Sequence, residues 1–393
     1  MLIIFKAVNT MTNKRYQICT RCIMDTSDPD ITFDHNGVCN HCHQYDRMVR
    51  EEIFTGDFGK EKLSQLINRI KEEGKGKDYD CLIGISGGVD SSYVAYIVKN
   101  LGLRPLAVHL DNGWNSVLSV NNISNELEIL GIDLKTYVIN WNEFRDLQLA
   151  FLKASTPDSE IPSDHAIVTM MYKTADEYGI RYVITGRNVR TETHVPFSWS
   201  HGHHDCKYIK SVHNMFGTVP LVTYPFRTPS EERRYRKSQV WVDILNYVDY
   251  VKKDAIHILE SELNWKYYGG KHYESIYTRF FQGYILPKKF GYDKRRGHLS
   301  SLICSGEITR YDALKEIESE PYPLNLQEDD RLYVIKKLGI TEEEFESIMA
   351  LPLKTILDYP SFERDNRTIQ RRLVIAAGAL KNSIIKRIHH YFL

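Results

Sequence analysis

Cys81-Leu82-Ile83-Gly84-Ile85-Ser86-Gly87-Gly88-Val89-Asp90-Ser91-Ser92 is the stretch on which the fold turns. The apolar run from Cys81 to Ile85 reads as a buried strand, and Ser92 to Val98 reads as a helix. A strand that breaks into a Gly/Ser turn and opens a helix makes an anion site. Backbone N–H groups converge there, and the helix N-terminus adds partial positive charge. Gly87 and Gly88 let the backbone approach an anion closely, and Ser86 and Ser91 add hydroxyl donors. Asp90 can hold a magnesium ion or cap the helix. A plain helix-capping turn is the bland alternative. The stretch is not a Walker loop, and it lacks the G-x-G-x-x-G dinucleotide fingerprint.

This arrangement resembles the PP-loop of the ATP pyrophosphatases. The resemblance implies ATP cleaved between its α- and β-phosphates, with a carbonyl oxygen activated as its adenylate. Ser86, Gly87, Gly88, Val89, Asp90, Ser91 and Ser92 would then hold the nucleotide, with Mg2+ on Asp90.

Working outward, apolar strands alternate with amphipathic helices. Leu106–Leu110, Thr136–Ile139 and Tyr182–Ile184 read as further strands, with helical patterns around 91–101, 117–130, 143–153 and 165–178. This alternation predicts a doubly wound parallel α/β sheet, whose ligands lie outside the carboxyl ends of the strands. The expected division is a flexible lead (1–18), a zinc ribbon (19–50), the PP-loop domain (58–229) and a mainly helical substrate and partner region (230–393). Residues 230–260 are read as helical, and Thr341-Glu342-Glu343-Glu344 as a capping-box start. A basic amphipathic stretch closes the chain, about 367–392, and either Met1 or Met11 is the start.

The ribbon rests on Cys19-Thr20-Arg21-Cys22 and Cys39-Asn40-His41-Cys42. Two C-x-x-C knuckles suit a tetrahedral structural Zn2+, and the polar segment between them is too poor in apolar surface to fold unaided. Disulfides are the alternative. No secretory signal is recognisable at the start, which argues against them and points to the cytoplasm. Lys plus Arg and Asp plus Glu both number 51, which disfavours a broad nucleic-acid surface. No apolar run is long enough to span a bilayer.

Polar clusters gather at the expected strand ends. His109 and Asp111 lie where adenine would sit, unless this is an ordinary strand exit. Ser163 or Asp164 can cap the helix starting at His165, or that helix start faces the nucleotide. In Thr185-Gly186-Arg187-Asn188-Val189-Arg190-Thr191-Glu192, Gly186 allows close backbone approach to ATP. Arg187 and Arg190 can take a phosphate or carboxylate, and Glu192 can hold magnesium. His201–Cys206 reads as a substrate loop or, less well, a metal site. Gly269-Gly270-Lys271 can wrap a phosphate, with Lys271 neutralising pyrophosphate. Lys294-Arg295-Arg296 is suited to an acidic sugar nucleotide, or is a solvated face.

Taken in order, the ribbon, S-G-G-V-D-S, T-G-R-N-x-R-x-E, G-G-K-H-Y-E-S, F-F-Q-x-Y-x-L-P-K-K-F and D-K-R-R-x-H-L-S resemble the N-acetyl sugar amidotransferases of lipopolysaccharide and pseudaminic acid synthesis, over roughly residues 16–360. The resemblance implies that the acetamido oxygen of an acidic N-acetyl sugar attacks the α-phosphate of ATP. Ammonia then displaces AMP to leave an acetamidino group. Ser86, Asp90, Lys271 and Arg187 would be catalytic, and Arg190, Glu192, Lys294, Arg295 and Arg296 would bind the sugar. Leu302-Ile303-Cys304-Ser305-Gly306 approaches a glutaminase elbow but has Leu where its first glycine belongs. The chain is therefore expected to make no ammonia itself, and the resemblance implies a separate glutaminase subunit with a cyclase-like channelling subunit. The alternative is a tRNA-modifying sulfurtransferase, which needs a reactive cysteine or a cluster beside the loop. Outside the ribbon, Cys81, Cys206 and Cys304 form no C-x-x-C.

Overall fold

The computed structural model describes residues 15–368. The expectations for the first fourteen residues and for the basic stretch from 369 onward lie outside the described residues.

Five parallel strands form one sheet: β1 (Cys81–Gly84), β2 (Pro105–Asp111), β3 (Asp133–Val138), β4 (Tyr182–Thr185) and β5 (Val240–Asp243), in the order β3-β2-β1-β4-β5. Alternate residues of each strand point to opposite faces. Cys81, Ile83, Ala107, Tyr182 and Ile184 enter one core, while Leu82, Leu106, Val108 and Val183 enter the other. Both faces are therefore covered, as a parallel sheet requires.

The helices follow from the connections between strands. α1 (Asn40–Glu52) closes the ribbon, and α2 (Gly56–Glu73) leads to the sheet. α3 (Val89–Asn100) and α4 (Val117–Leu130) cover the first face. α5 (Trp141–Ala154) turns away from the sheet, and α6 (Ile161–Glu177) covers the second face through Met171 and Ala175. α6 starts earlier than the sequence suggests. Glu160 occupies the cap position, Pro162 lies in the first turn, and Ser163 and Asp164 are inside the helix rather than capping it.

β5 corrects the reading of 230–260 as helical. α7 (Val189–Glu192), α8 (Cys206–Phe216) and α9 (Pro229–Ser238) precede it, and Val240, Trp241, Val242 and Asp243 then pair in parallel with Tyr182 to Thr185. α10 (Lys252–Glu262) returns to the first face through Ala255 and Leu259.

The remainder of the described chain is mainly helical. α11 (Ile276–Phe280) runs into a π-helix, Phe281–Phe290, and is followed by α12 (Lys294–Ser305), α13 (Arg310–Ile317), α14 (Leu324–Leu338) and α15 (Glu342–Met349). Thr341 and Glu344 form the capping box of α15. Phe144, Phe151, Tyr208, Phe280, Val334 and Phe345 share one core, so α5 and α8 are packed with this C-terminal region. An Asn115–Ser275 bridge brings its start to the end of β2.

The ribbon docks on α12. Arg296 donates to Ile23 O at 2.9 Å, Arg310 donates to Cys19 O and Cys22 O, and the Ile23 amide donates to Ser300 Oγ. Among the described residues, no helix is long and apolar enough to cross a membrane.

Candidate functional site

The chain visits β1, β2 and β3 on one side of the sheet and then returns to β4 and β5 on the other. The crevice lies between the ends of β1 and β4, where a reversal of strand order leaves room for a ligand. Ser86 follows β1, and Gly186 follows β4.

The Ser86–Ser91 turn is folded on its own hydroxyls. The Ser86 amide donates to Ser91 Oγ at 3.2 Å, and the Gly88 amide donates to Ser86 Oγ at 3.2 Å. Gly87 has φ +74°, and a Cβ there would stand 2.5 Å from Ser119 O. Only glycine fits that turn. Trp265 Nε1 donates to Gly87 O at 3.0 Å, and the Val89 amide donates to Tyr268 Oη at 3.0 Å. The loop is thus clamped by residues far along the chain. Ser92 is fully buried and faces Glu126, whose carboxyl burial pushes up to about 8. Ser92 and Val89 support the loop rather than line the cavity.

A cavity of about 600 Å3 opens in front of it, lined by Ser86, Ser91, His109, Thr185, Gly186 and Arg187 among others. His109 is fixed: Nδ1 donates to Ile85 O at 2.9 Å, and Nε2 accepts from Asn115 Nδ2 at 3.0 Å. Asp111 is not in the lining; its carboxylate accepts the Gly113 amide and closes a turn. Arg187 is held by Asp243 of β5, which also accepts from Thr185 at 2.6 Å.

Asp90 lies behind the loop, half-buried beside the charges of Glu192 and Lys271. Its Oδ1 accepts the Tyr250 hydroxyl at 2.5 Å, and Gly186 packs on its backbone, a Cβ there standing 3.1 Å from Asp90 C. Burial raises the Asp90 pKa, with Lys271 opposing. Burial would raise Glu192 too, but the Lys271 ammonium at 3.0 Å outweighs it and holds that carboxyl low. Glu192 and Asp90 together raise the Lys271 pKa in turn, so the three side chains form one charge cluster.

Ser163 and Asp164 line the cavity, as the alternative reading of that helix start has it, while the sequence assigns no role to Asp158, Glu160, Thr278 and Gln282. Asp158, Glu160 and Asp164 converge on one side, and Glu274, Ser275, Thr278 and Gln282 supply another. Burial, with Asp158 and Glu160 adding repulsion, pushes the Asp164 carboxyl well above the usual range. Gln282 donates to Glu160 at 2.9 Å. Gln282 and Lys294 also line two adjoining cavities of about 460 and 550 Å3, so the three meet there. His298 lines both of those, and its two buried ring nitrogens have no partner among the described residues. Burial, helped by Lys271, His272 and Lys294, holds its pKa well below 6.5.

The basic cluster is dispersed. Lys294 faces the cavities, its Nζ 3.9 Å from Glu160. Arg295 is folded onto Asp293 and the carbonyls of Glu316, Ser319 and Glu320, at the edge of the 460 Å3 cavity. Arg296 binds Ile23 O and Asp25, holding the ribbon. Arg190 donates to Val248 O at 2.8 Å and lines none of these cavities. Its charge anchors the segment that carries Tyr250. Gly270 makes room for the Tyr273 ring rather than for a phosphate, a Cβ there standing 2.6 Å from it.

The cysteine cluster can hold zinc. Cys22 and Cys39 Sγ are 3.7 Å apart, Cys39 and Cys42 3.7 Å, and Cys19 and Cys42 3.9 Å. Zn–S bonds of about 2.3 Å in a tetrahedron place sulfurs about 3.8 Å apart. Backbone amides of Arg21, Cys22 and Cys39 donate to Cys19 Sγ, which suits a thiolate. In the His201–Cys206 loop, His203 lines the 550 Å3 cavity, and Cys206 is buried at the start of α8.

Residues 274–372 match the family described as "LPS biosynthesis protein WbpG-like, C-terminal domain". Curated proteins match over shorter shares. The tRNA-specific 2-thiouridylase MnmA 2 of Fusobacterium nucleatum subsp. nucleatum is 26% identical over 164 residues, covering 39% of this chain and 44% of that protein. The tRNA-5-methyluridine(54) 2-sulfurtransferase of Pyrococcus horikoshii is 26% identical over 153 residues, covering 38% of this chain and 47% of that protein. The chain thus spans less than half the length of these relatives. Among solved structures, NMN synthetase from Francisella tularensis aligns with 56% of this chain and 99% of its own, at 19% identity and a TM-score of 0.27.

Proposed function

We propose that this chain is a PP-loop enzyme that adenylates the acetamido oxygen of an N-acetyl sugar and replaces it with ammonia. One observation carries the sugar reading: the segment matching the WbpG-like family contributes Glu274, Ser275, Thr278, Gln282 and Lys294 to the same cavity that Ser86 and Ser91 enter. The matches to tRNA-modifying proteins support the coarser reading of an ATP-using PP-loop enzyme.

In this reading ATP lies across the ends of β1 and β4, its phosphates against Ser86 and Ser91. Asp90 and Glu192 would hold Mg2+, which neutralises phosphate charge. Arg187 and Lys271 stabilise the leaving pyrophosphate. The sugar lies toward Lys294, with Asp158 and Glu160 accepting its hydroxyls. The acetamido oxygen bonds to the α-phosphorus as pyrophosphate leaves. Ammonia then adds to the former carbonyl carbon and AMP leaves. The chain's share is mainly positioning and charge stabilisation. Its acidic wall suits a hydroxyl-rich substrate, and any acidic group on the sugar has Lys294 and Arg187 to meet it. In this reading ammonia comes from a separate glutaminase; Cys304 is turned into the ribbon contact, its Sγ 3.8 Å from Cys42, and is not set out as a glutaminase nucleophile.

A tRNA sulfurtransferase is the second reading, favoured by the names of the curated relatives. Against it, none of the seven cysteines lines the cavity in front of the loop. The deciding experiment incubates the protein with ATP, magnesium, ammonium and a panel of N-acetyl sugars and nucleotide sugars. AMP, pyrophosphate and a product in which NH replaces O are expected. AMP formation that requires tRNA and a sulfur donor would establish the second reading instead.

A further inference from the structure

Cys304, on the last turn of α12, is the fifth thiol at the ribbon. Its Sγ stands 3.8 Å from Cys42 Sγ and 3.6 Å from His194 Nε2. The three ligand atoms all lie within 4.8 Å of one another. A tetrahedral zinc with bonds of about 2.3 Å to sulfur and about 2.05 Å to nitrogen sets a sulfur–sulfur edge of about 3.8 Å and a sulfur–nitrogen edge of about 3.6 Å. The Cys42–Cys304 and Cys304–His194 edges have those lengths, and Cys42 Sγ lies within 4.8 Å of His194 Nε2.

The histidine is aimed for this. Its backbone N–H and its Nδ1 both address Ser301 Oγ, at 3.2 and 3.1 Å, and the Ser301 hydroxyl donates to Gly297 O. Ser301 therefore accepts from Nδ1–H, which leaves the lone pair on Nε2 facing the sulfurs. A hydrogen bond that fixes the tautomer of a ligating histidine is the usual outer-shell arrangement in zinc sites. Gly297 permits it: a Cβ there would stand 2.4 Å from His194 O. Cys42 and His194 are buried and Cys304 is half-buried, so the fourth position opens on the Cys304 side.

We propose that Cys42, His194 and Cys304 hold a second zinc ion, with Cys42 as the thiolate shared with the ribbon's ion and a water in the fourth position. The pair of ions would staple three segments that are distant in sequence: the ribbon, the turn after α7 and the end of α12. That staple would lock Glu192, two residues before His194, to the helix that carries Lys294.

Stoichiometry tests this. The full chain is loaded with zinc, desalted, and its metal measured against protein concentration. Two zinc ions per chain are expected, falling to one in Cys304→Ser and in His194→Gln while circular dichroism stays unchanged. One zinc in the unaltered chain overturns the proposal and leaves Cys304 as an S–H donor to His194. Two zinc ions retained in Cys304→Ser would overturn it equally, by placing the second ion elsewhere. The unaltered chain decides the first point even where a variant fails to fold.

Discussion

The Tyr250 hydroxyl donates to Asp90 Oδ1 at 2.5 Å, joining a segment after β5 to the first turn of α3. Tyr250 is nearly fully buried, and burial with the nearby Asp90 charge raises its own pKa strongly, so it serves as a donor only. A hydrogen bond to a charged group is worth about 1.5–3 kcal/mol. Tyr250→Phe is expected to slow pyrophosphate release about 10- to 100-fold, each factor of ten being about 1.4 kcal/mol. The lost bond also raises the Asp90 pKa further, so the acid limb of the pH–rate profile moves to higher pH. Asp90→Asn and Ser86→Ala are expected to abolish release with the fold retained. Unchanged kinetics in Tyr250→Phe would separate this pair from the chemistry.

Two glycines differ in what they protect. Gly87→Ala meets Ser119 O at 2.5 Å with φ at +74°, so the backbone itself must move. A left-handed non-glycine residue costs about 1–2 kcal/mol before any clash. A lower melting temperature together with lost activity is expected. Gly186→Ala meets Asp90 at 3.1 Å without a positive φ. There the expected loss is in turnover, because the pressure falls on Asp90, with melting nearly unchanged. Thermal denaturation alongside pyrophosphate release separates the two.

Strand β1, its loop and the alternation after it are legible because buried parallel strands are short apolar runs bounded by glycine. β5 is not, since Val240 to Asp243 is an edge strand only partly buried, follows a charged helix, and becomes a strand only by pairing with β4. Missing it also hid Asp243, which positions Arg187. Successive helix residues point about 100° apart, so Lys294, Arg295 and Arg296 cannot share one direction once α12 forms. Gln282 and Glu274 stood within quoted motifs, but nothing local shows which way they face. Asp158 and Glu160 carry no spacing signal, since they meet the loop only through tertiary packing.

That dispersal separates two neighbours experimentally. Lys294→Met removes the cation facing the cavities. It is expected to raise the sugar KM about tenfold or more, about 1.4 kcal/mol or above, with melting unchanged. Arg296→Met removes a 2.9 Å bond to Ile23 O and a 3.1 Å pair with Asp25. It is expected to lower stability by about 1–3 kcal/mol and speed zinc loss to a chelator, while turnover per folded chain persists. A matching KM effect in both variants would restore the basic cluster as one binding surface.

His165 sets a pH limit on the fold. It is fully buried, its Nδ1 donates to His203 O at 2.7 Å, and its Nε2 accepts the Arg227 amide at 3.0 Å. Both nitrogens are satisfied only in the neutral ring. Burial holds its pKa down at about 4, against 6.5 for the free side chain. The unfolded chain therefore binds more protons between those values, and stability rises with pH across that window. The contribution is present above about 6.5, is lost as pH falls toward 4, and is of order 3 kcal/mol at most by the difference in pKa. His165→Gln is expected to be less stable at pH 7.5 and to show a flatter loss of stability on acidification. Urea denaturation from pH 7.5 to 4.5 checks this, and an unchanged slope in the variant would assign the acid sensitivity to other groups.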